Sequence, residues 1–365
     1  MDYVVEEIGK EFFLIRSPEK TLHRNIYLKR FLSPDKKYKF NMIFDPGTPS
    51  DYEFLFKKLK ELIGGIQNIH LIFLSHQDPD LTSNSRILLT AAPQSLIVTS
   101  VDTYRLVNMY GIPANKFRLI EPSKTGIVKI PKTEHRIRFI PAYFCHFRGA
   151  MMVYDYESGV LFSGDFLAGV NTDNDNKSIY ADESSFNGIS IFHQIYMPSK
   201  KALSLTINRI GLLNPIPEII APQHGKVIKG ELVLSFLNRL SNLDVGLDLM
   251  EWNENEKTIL LDAFNRFLDS LKEVDKYIYK NLLAKLKNVS GFTEILVFAG
   301  DFLTDIKVSP EDAIDYIAKN LYELDKNTPY FTMFDNILTL SGLPYKLPKL
   351  KIEEEPKEKI FENEF

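Results

Sequence analysis

The chain has little cysteine and no long hydrophobic run, and both absences narrow what it can be. Its 365 residues include one cysteine, which excludes an internal disulfide framework and any metal site built from several thiolates. No uninterrupted apolar stretch approaches the roughly 20 residues that a membrane-spanning helix needs. The N-terminal segment is too acidic and too interrupted for a signal peptide. We therefore expect a cytoplasmic protein that does not enter a membrane.

The chain also lacks an excess of charge of either sign. It has 44 Lys and Arg residues against 48 Asp and Glu residues, which is a formal net charge of −4. This balance gives no reason to expect nucleic acid or an anionic membrane surface as a partner. Hydrophobic residues make up 44% of the composition, and a chain of this length has enough of them for two domains.

The first two thirds of the chain alternate short β-rich runs with helical stretches. Apolar residues at helical spacing predict a helix over residues 51–63, with Leu55, Leu59 and Leu62 on one face. Runs of β-branched and apolar residues predict strands at 42–44, 70–74, 96–99, 137–140, 160–162 and 218–221. Strands and helices that alternate in this way predict an α/β fold, in which helices cover the sheets.

The pattern changes after about residue 247. Between Leu260 and Leu282 apolar residues recur at intervals of three and four, which predicts one long amphipathic helix. Ser309 followed by Pro310 is a typical helix start. We therefore predict a first domain at 1–247, a mostly helical extension at 248–350 and a charged, mobile tail at 351–365.

Potential metal ligands occur in four separate segments, each at the end of a predicted strand. They are His76, Asp78 and Asp80 in one extended loop, then His146, Asp165 and His224. Alternate residues of an extended loop point the same way, so the first three can converge on one space. A single strand-end His or Asp is more often a turn former or a surface group, but the ordered set of four segments is specific. Three imidazoles with three carboxylates suit two ions with a shared carboxylate better than one structural zinc.

In order and spacing, these segments resemble those of the metallo-β-lactamase superfamily. The resemblance is greatest to the diiron domain of flavodiiron proteins and to related oxygen-binding diiron proteins. It covers about residues 25–245 and includes the segments 45–47 (DPG), 146–151 (HFRGAM), 195–198 (IYMP) and 219–225 (IIAPQHG). It implies an αββα sandwich in the first domain.

The resemblance also implies a division of the ligands between two iron ions. His76, Asp78 and His146 would hold one ion. Asp80 and His224 would hold the other. Asp165 would bridge the two. Two Fe2+/Fe3+ ions are therefore the predicted cofactor.

Two positions distinguish this chain from parts of the superfamily. Asp78 stands where hydrolytic relatives carry histidine, and an oxygen ligand there favours iron or manganese over zinc. Leu81 stands where flavodiiron proteins carry a further histidine, which predicts a second iron with fewer protein ligands. Residues 248–365 also have no phosphate-binding loop of a flavodoxin, so we expect no bound FMN and a separate electron donor if electrons are needed.

Four other residues have competing interpretations. Leu81 and Phe147 could line the pocket, although core packing is the usual role of such side chains. His193 could donate a proton or a hydrogen bond to the ligands, or it could be a structural histidine with both nitrogens satisfied. Cys145 is expected to be a buried thiol that points away from His146.

The leading functional hypothesis is an O2- or NO-binding diiron protein that acts in sensing or signalling. An O2 or NO reductase that receives electrons from a separate flavoprotein or rubredoxin is the second hypothesis. A zinc-dependent hydrolase, in which a metal-bound hydroxide attacks the substrate, is the third. By resemblance we also expect a homodimer.

Overall fold

The computed structural model describes residues 3–19, 22–120, 126–171, 178–250, 254–287, 295–324 and 329–343. The charged tail predicted at 351–365 lies outside these residues. The chain divides into two compact units, Met1–Met250 and Glu251–Phe365. The structure therefore places the boundary a few residues after the predicted one, and each unit is described separately below.

The first unit contains a seven-stranded sheet whose strands follow the order of the chain. They are β1 (Val4–Gly9), β2 (Phe12–Arg16), β3 (Asn25–Leu32), β4 (Lys39–Phe44), β5 (Leu71–Phe73), β6 (Leu96–Ser100) and β7 (Phe117–Ile120). Strands β1 to β4 pair antiparallel, whereas β4 to β7 pair parallel. The parallel half therefore carries its strand-end loops on one edge of the sheet.

A second sheet of six strands has the order β13-β12-β11-β10-β9-β8. These strands are β8 (Ile127–Lys129), β9 (Arg136–Pro141), β10 (Met151–Asp155), β11 (Val160–Gly164), β12 (Ile219–Pro222) and β13 (Ile228–Lys229). All pairs are antiparallel except β11 with β12. All six strands predicted from the sequence overlap an observed strand.

Seven α-helices belong to the described part of this unit. They are α1 (Tyr52–Ile63), α2 (Pro79–Thr82), α3 (Ser85–Ala91), α4 (Val101–Val107), α5 (Phe186–Tyr196), α6 (Lys200–Gly211) and α7 (Glu231–Ser241). In α1 the side chains of Leu55 and Leu59 are buried, and Gly64 ends the helix in a left-handed conformation at φ 79°. Glycine adopts this conformation without steric cost.

Three hydrophobic cores order these elements into four layers. An aromatic core that includes Phe44, Phe73 and Phe162 lies between the two sheets. The outer face of the first sheet packs on α1, α3 and α4, and the outer face of the second sheet packs on α5, α6 and α7. The first unit is therefore an αββα sandwich, which confirms the predicted α/β layered fold.

The second unit is mostly helical, as predicted, but it differs from the prediction in two places. Its elements are α8 (Glu254–Val274), α9 (Lys276–Lys287), β14 (Leu296–Ala299), β15 (Phe302–Ile306), α10 (Pro310–Leu324) and α11 (Pro329–Leu340). The single long helix predicted over 260–282 is wrong, because the chain forms two helices that meet at Asp275. The β14–β15 hairpin was not predicted.

The helix break has a local cause. The Asp275 carboxylate accepts hydrogen bonds from the backbone N–H groups of Tyr277 (2.9 Å) and Ile278 (3.0 Å), so it caps the start of α9. Apolar periodicity continues across the break because α8 and α9 contribute to the same core. Periodicity alone therefore could not reveal it. None of the helices in the described ranges is both long and apolar enough to cross a bilayer.

Candidate metal centre

The six predicted ligands converge at one edge of the sandwich. His76 and Asp78 lie in the loop after β5, whereas Asp80 lies in the first turn of α2, so the extended conformation predicted for this segment ends at Asp78. Asp165 directly follows β11. His146 lies in the loop between β9 and β10, and His224 follows β12. Loops at strand ends are supported by the rigid sheets below them, which makes them suitable positions for a binding site.

His76, Asp78 and His146 form the first donor group. Each offers a ligand atom, and these atoms lie within 4.8 Å of one another. The Asp78 Oδ2 atom is 3.3 Å from His146 Nε2 and 3.7 Å from His76 Nε2. Two imidazoles and one carboxylate at these distances could hold one metal ion.

Asp165 lies between this group and a second one. Its Oδ2 atom is 3.3 Å from His76 Nε2 and 3.0 Å from His146 Nε2. Its Oδ1 atom is 3.8 Å from Nε2 of His224, which in turn lies 3.2 Å from Asp80 Oδ2. The two oxygens of one carboxylate therefore face two different sets of donors. Among the residues that the structure describes, Asp80 and His224 are the donors that join Asp165 in the second set, which is one fewer than in the first.

The donor set fits metal ions better than it fits a hydrogen-bond network. His76 Nε2 and Asp165 Oδ1 are buried, and within the described part of the chain neither has a hydrogen bond of acceptable geometry. Buried polar atoms are almost always satisfied, so such exceptions require an explanation. A metal ion that accepts lone pairs from both atoms would provide one.

The charges of the carboxylates and imidazoles are strongly coupled. Burial raises the pKa of Asp165, but the nearby His76 and His146 imidazoles outweigh this and hold it well below its usual value. Burial lowers the pKa of His146, but Asp165 and Asp78 raise it to about 9. Without metal the imidazoles therefore hold protons that a bound ion would have to displace.

Glycines at two strand ends allow the ligand loops to approach each other. Gly164 has φ +56°, and a Cβ atom there would lie 2.9 Å from the Cβ of Ser75. Gly225 has φ +79°, and its Cβ would lie 2.7 Å from the Gly169 carbonyl oxygen. Both positions need glycine for the backbone conformation and for the close contact. Asp165 can therefore lie next to His76, and His224 next to the Asp165 loop.

The hydrogen bonds of the other ring nitrogens orient two of the histidines. His76 Nδ1 donates to Ser75 Oγ (2.9 Å), whose hydroxyl donates to Asp45 (2.5 Å). His224 Nδ1 donates to the His23 carbonyl oxygen (2.8 Å). A proton on Nδ1 leaves Nε2 as the metal-binding atom in a neutral imidazole. The sequence interpretation assigned no role to His23, which has no pattern around it, and none to Ser75, although Ser75 directly precedes His76.

Strands of the first sheet hold the loop that carries His224. The buried Arg16 guanidinium donates to the Gly225 carbonyl oxygen (2.6 Å). Asn25 donates to the carbonyl oxygens of Pro222 (2.9 Å) and Gly225 (2.9 Å). The Tyr27 hydroxyl donates to the same Pro222 oxygen (2.7 Å). These contacts join residues roughly 200 positions apart in the chain, so no local signal could predict them.

His193 forms the hydrogen bonds of a structural histidine, which was one of the two roles that the sequence allowed. It is fully buried, its Nδ1 donates to the Ile189 carbonyl oxygen (2.8 Å), and its Nε2 accepts from the Leu167 N–H (3.1 Å). Burial lowers its pKa to about 4. Both nitrogens are used by the backbone, so His193 supports the loop after Asp165 and has no proton to give to the ligands.

Leu81 and Phe147, which the sequence analysis considered as pocket residues, lie in different surroundings. The Leu81 side chain is fully buried in the core between the first sheet and its helices. Phe147 is half-buried, and its carbonyl oxygen accepts from the N–H groups of Phe144 (3.0 Å) and Ala150 (3.1 Å) in the loop that carries His146. The Cys145 thiol packs on α6 near Thr206 Oγ1 (3.4 Å), and burial raises its pKa to about 12.

Aromatic side chains of α5 lie beside the donors. The Tyr196 ring is 5.9 Å from the His146 ring, and the Phe192 ring is 5.8 Å from the His224 ring. Tyr196 is about half exposed, whereas Phe192 is buried. Tyr196 belongs to the 195–198 segment of the resemblance, but the sequence interpretation gave it no role.

The αββα sandwich and the strand-end His and Asp donors define a metallo-β-lactamase-like protein. The model of the ODP family of β-lactamase-like proteins matches residues 25–225. The chain belongs to this family.

Solved structures with a similar fold include two of the chemotaxis sensor ODP. One, described as its peroxy diiron species, is 28% identical to this chain with a TM-score of 0.56. The match covers 69% of this chain and 99% of the sensor chain. The other is the apo state of the sensor from T. denticola, which is 30% identical with a TM-score of 0.57. The match covers 68% of this chain and 98% of the sensor chain.

A flavo-diiron protein from Thermotoga maritima is 16% identical with a TM-score of 0.56, over 75% of this chain and 71% of that chain. This identity shows a shared fold alone. The comparison with curated proteins found no match. Within its described residues the second unit consists of α8–α11 and one antiparallel hairpin, which differs from the parallel sheet of a flavodoxin.

Proposed function

We propose that this chain binds two iron ions and that the reduced centre binds O2. The observation that carries the proposal is the position of Asp165, whose two oxygens face two sets of donors. A carboxylate in this position is suited to bridge two ions. The similarity to the ODP sensor structures, one of which is described as a diiron species, supports iron as the metal.

The residues would divide between the ions as the resemblance implies. His76, Asp78 and His146 would hold the first ion, and Asp80 and His224 the second, with Asp165 shared. When bound, a pair of ferrous ions would supply the electrons that O2 needs in order to bind as a reduced ligand. The chain's own residues hold the donors in place and, through Phe192 and Tyr196, cover part of the site.

We further propose a sensing function in preference to turnover. The second donor set has few protein ligands, which leaves coordination positions for a small molecule. The 30% identical relative is described as a chemotaxis sensor. A signal would require that the O2-bound and O2-free states differ in their contacts. The cytoplasmic location, the homodimer and the absence of FMN stay predictions.

Anaerobic reconstitution with Fe2+, metal analysis and O2 titration followed by optical spectroscopy test this function. We expect two iron ions per chain and an absorption change that saturates at one O2 per chain. Fewer than two bound ions, or no optical change on O2 addition, would contradict the proposal. Steady O2 or NO consumption with reduced rubredoxin or a flavoprotein would indicate a reductase instead.

A further inference from the structure

Two glutamine side chains contact the two aspartates that distinguish the donor groups. Gln77 Nε2 donates a hydrogen bond to Asp78 Oδ1 at 2.7 Å. Gln223 Nε2 donates to Asp80 Oδ2 at 3.3 Å. Each donor group thus has its own amide, and in both cases the amide contacts the aspartate of that group.

The amide oxygens of both glutamines are buried. Neither Gln77 Oε1 nor Gln223 Oε1 has a hydrogen-bond partner among the residues that the structure describes. Gln223 as a whole is 1% exposed. The contact with the aspartate is therefore the hydrogen bond that orients each amide among the described residues.

The two oxygens of Asp78 have different neighbours. Its Oδ2 atom faces His76 and His146, as described above, whereas Oδ1 is engaged by Gln77. The amide therefore stabilises one rotamer of the carboxylate and leaves Oδ2 as the ligand atom. Hydrogen bonds to ligating carboxylates commonly act in this way.

The contact with Asp80 has a different geometry. Gln223 and His224 both approach the Oδ2 atom, at 3.3 and 3.2 Å. The backbone of Gln223 is fixed on both sides, since its N–H donates to the Gly164 carbonyl oxygen (2.8 Å) and its carbonyl oxygen accepts from the Asn25 N–H (2.7 Å). Its amide thus lies beside a carboxylate that is about one third exposed.

We propose that Gln77 and Gln223 are positioning residues, each of which sets the affinity of the centre for one of its two ions. Gln77 orients Asp78 and thereby acts on the first donor group. Gln223 orients Asp80 and acts on the second group, which has fewer protein donors and depends more on this contact. The inference rests on the proposed two-ion centre.

The test is a Co2+ titration of the metal-free full chain, followed by calorimetry and by the d–d absorption of Co2+. Gln77→Met and Gln223→Met keep the length of the side chain and remove the amide. We expect each variant to weaken one of the two binding steps by about 10- to 100-fold and to leave the other unchanged. The d–d bands of the affected ion should change in intensity, which a loss of general stability would not produce.

A background with a single ion identifies which step is affected. In Asp80→Ala only the first donor group keeps its aspartate, so Gln77→Met should weaken the remaining step and Gln223→Met should not. Thermal unfolding of the metal-free variants checks the fold, and Gln77→Leu and Gln223→Leu serve if a methionine variant does not fold.

Equal weakening of both steps by either variant, or no weakening by either, would overturn the inference while wild type still binds two Co2+ ions. Wild type that binds no more than one Co2+ ion would overturn the proposed function, and the inference with it.

Discussion

The Asp165 carboxylate is within 4 Å of all three imidazoles of the site. No other carboxylate in the described part of the chain has this position. These three imidazoles belong to three separate segments of the sequence. The proposed two-ion centre therefore depends on this one side chain.

Asp165→Asn should reduce the number of ions bound per chain from two to at most one. The amide keeps the shape of the side chain but loses the negative charge and one oxygen, so it cannot bridge two cations. Metal analysis after reconstitution measures the change. Asp35→Asn changes an exposed aspartate in the turn between β3 and β4. It is the matched control and should still bind two ions. Two ions in Asp165→Asn would contradict the assignment of the bridge.

From the environment of His193 we predict that the free energy of unfolding depends on pH. Its pKa is lowered from 6.5 to about 4 by burial, so the folded state keeps it neutral while the unfolded state takes up a proton below about pH 6.5. Stability from this group is complete above the unfolded pKa and is lost as pH falls towards the folded one. The shift corresponds to a loss of at most roughly 3 kcal/mol.

Urea unfolding of the metal-free chain at about pH 7.5 and about pH 4.5 measures this loss. In His193→Gln the decrease in unfolding free energy over that range should be smaller than in wild type, because glutamine does not titrate. Equal decreases in the two proteins would show that His193 does not contribute.

At the scale of elements, the junction between α8 and α9 shows how a cap overrides periodicity. Asp275 accepts bonds from two backbone N–H groups of α9 and from the Tyr330 hydroxyl (2.9 Å). The apolar stripe continues on both sides, so the sequence pattern indicated one helix. The capping aspartate was visible in the sequence, but an aspartate within a helical stripe is also a common exposed residue.

Asp275→Ala should lower the midpoint of thermal unfolding, because α9 loses its cap and Tyr330 loses an acceptor. Asp275→Asn keeps an acceptor oxygen and should remain closer to wild type. Circular dichroism at a helical wavelength measures both variants. A midpoint for Asp275→Ala that equals wild type would mean that the cap does not stabilise the unit.

At the scale of the molecule, each unit has cores of its own. Within the described ranges, the residues of the three sandwich cores all precede residue 250. The buried residues of the second unit's core lie between Leu260 and Leu343, and Ile259 packs against them. Each unit therefore has the buried apolar surface that an independent domain needs.

We expect residues 1–250 to fold alone and to bind two ions, because all six candidate ligands and their supporting contacts lie in this part. Metal analysis and thermal unfolding of this fragment, beside the full chain, test the expectation. The full chain should show a second transition or a larger unfolding enthalpy from the other unit. Aggregation of the fragment, or loss of an ion, would contradict it.

Short-range patterns were sufficient for the α/β class, for six of the thirteen strands described in the first unit and for naming the six candidate ligands. Strand-end runs and ligand spacing are properties of neighbouring residues, and they are visible before the chain folds. The contacts of Arg16, Asn25 and Tyr27 with the His224 loop were not predictable. They join residues far apart in the chain, and only the packing of the two sheets brings their polar atoms within hydrogen-bond distance.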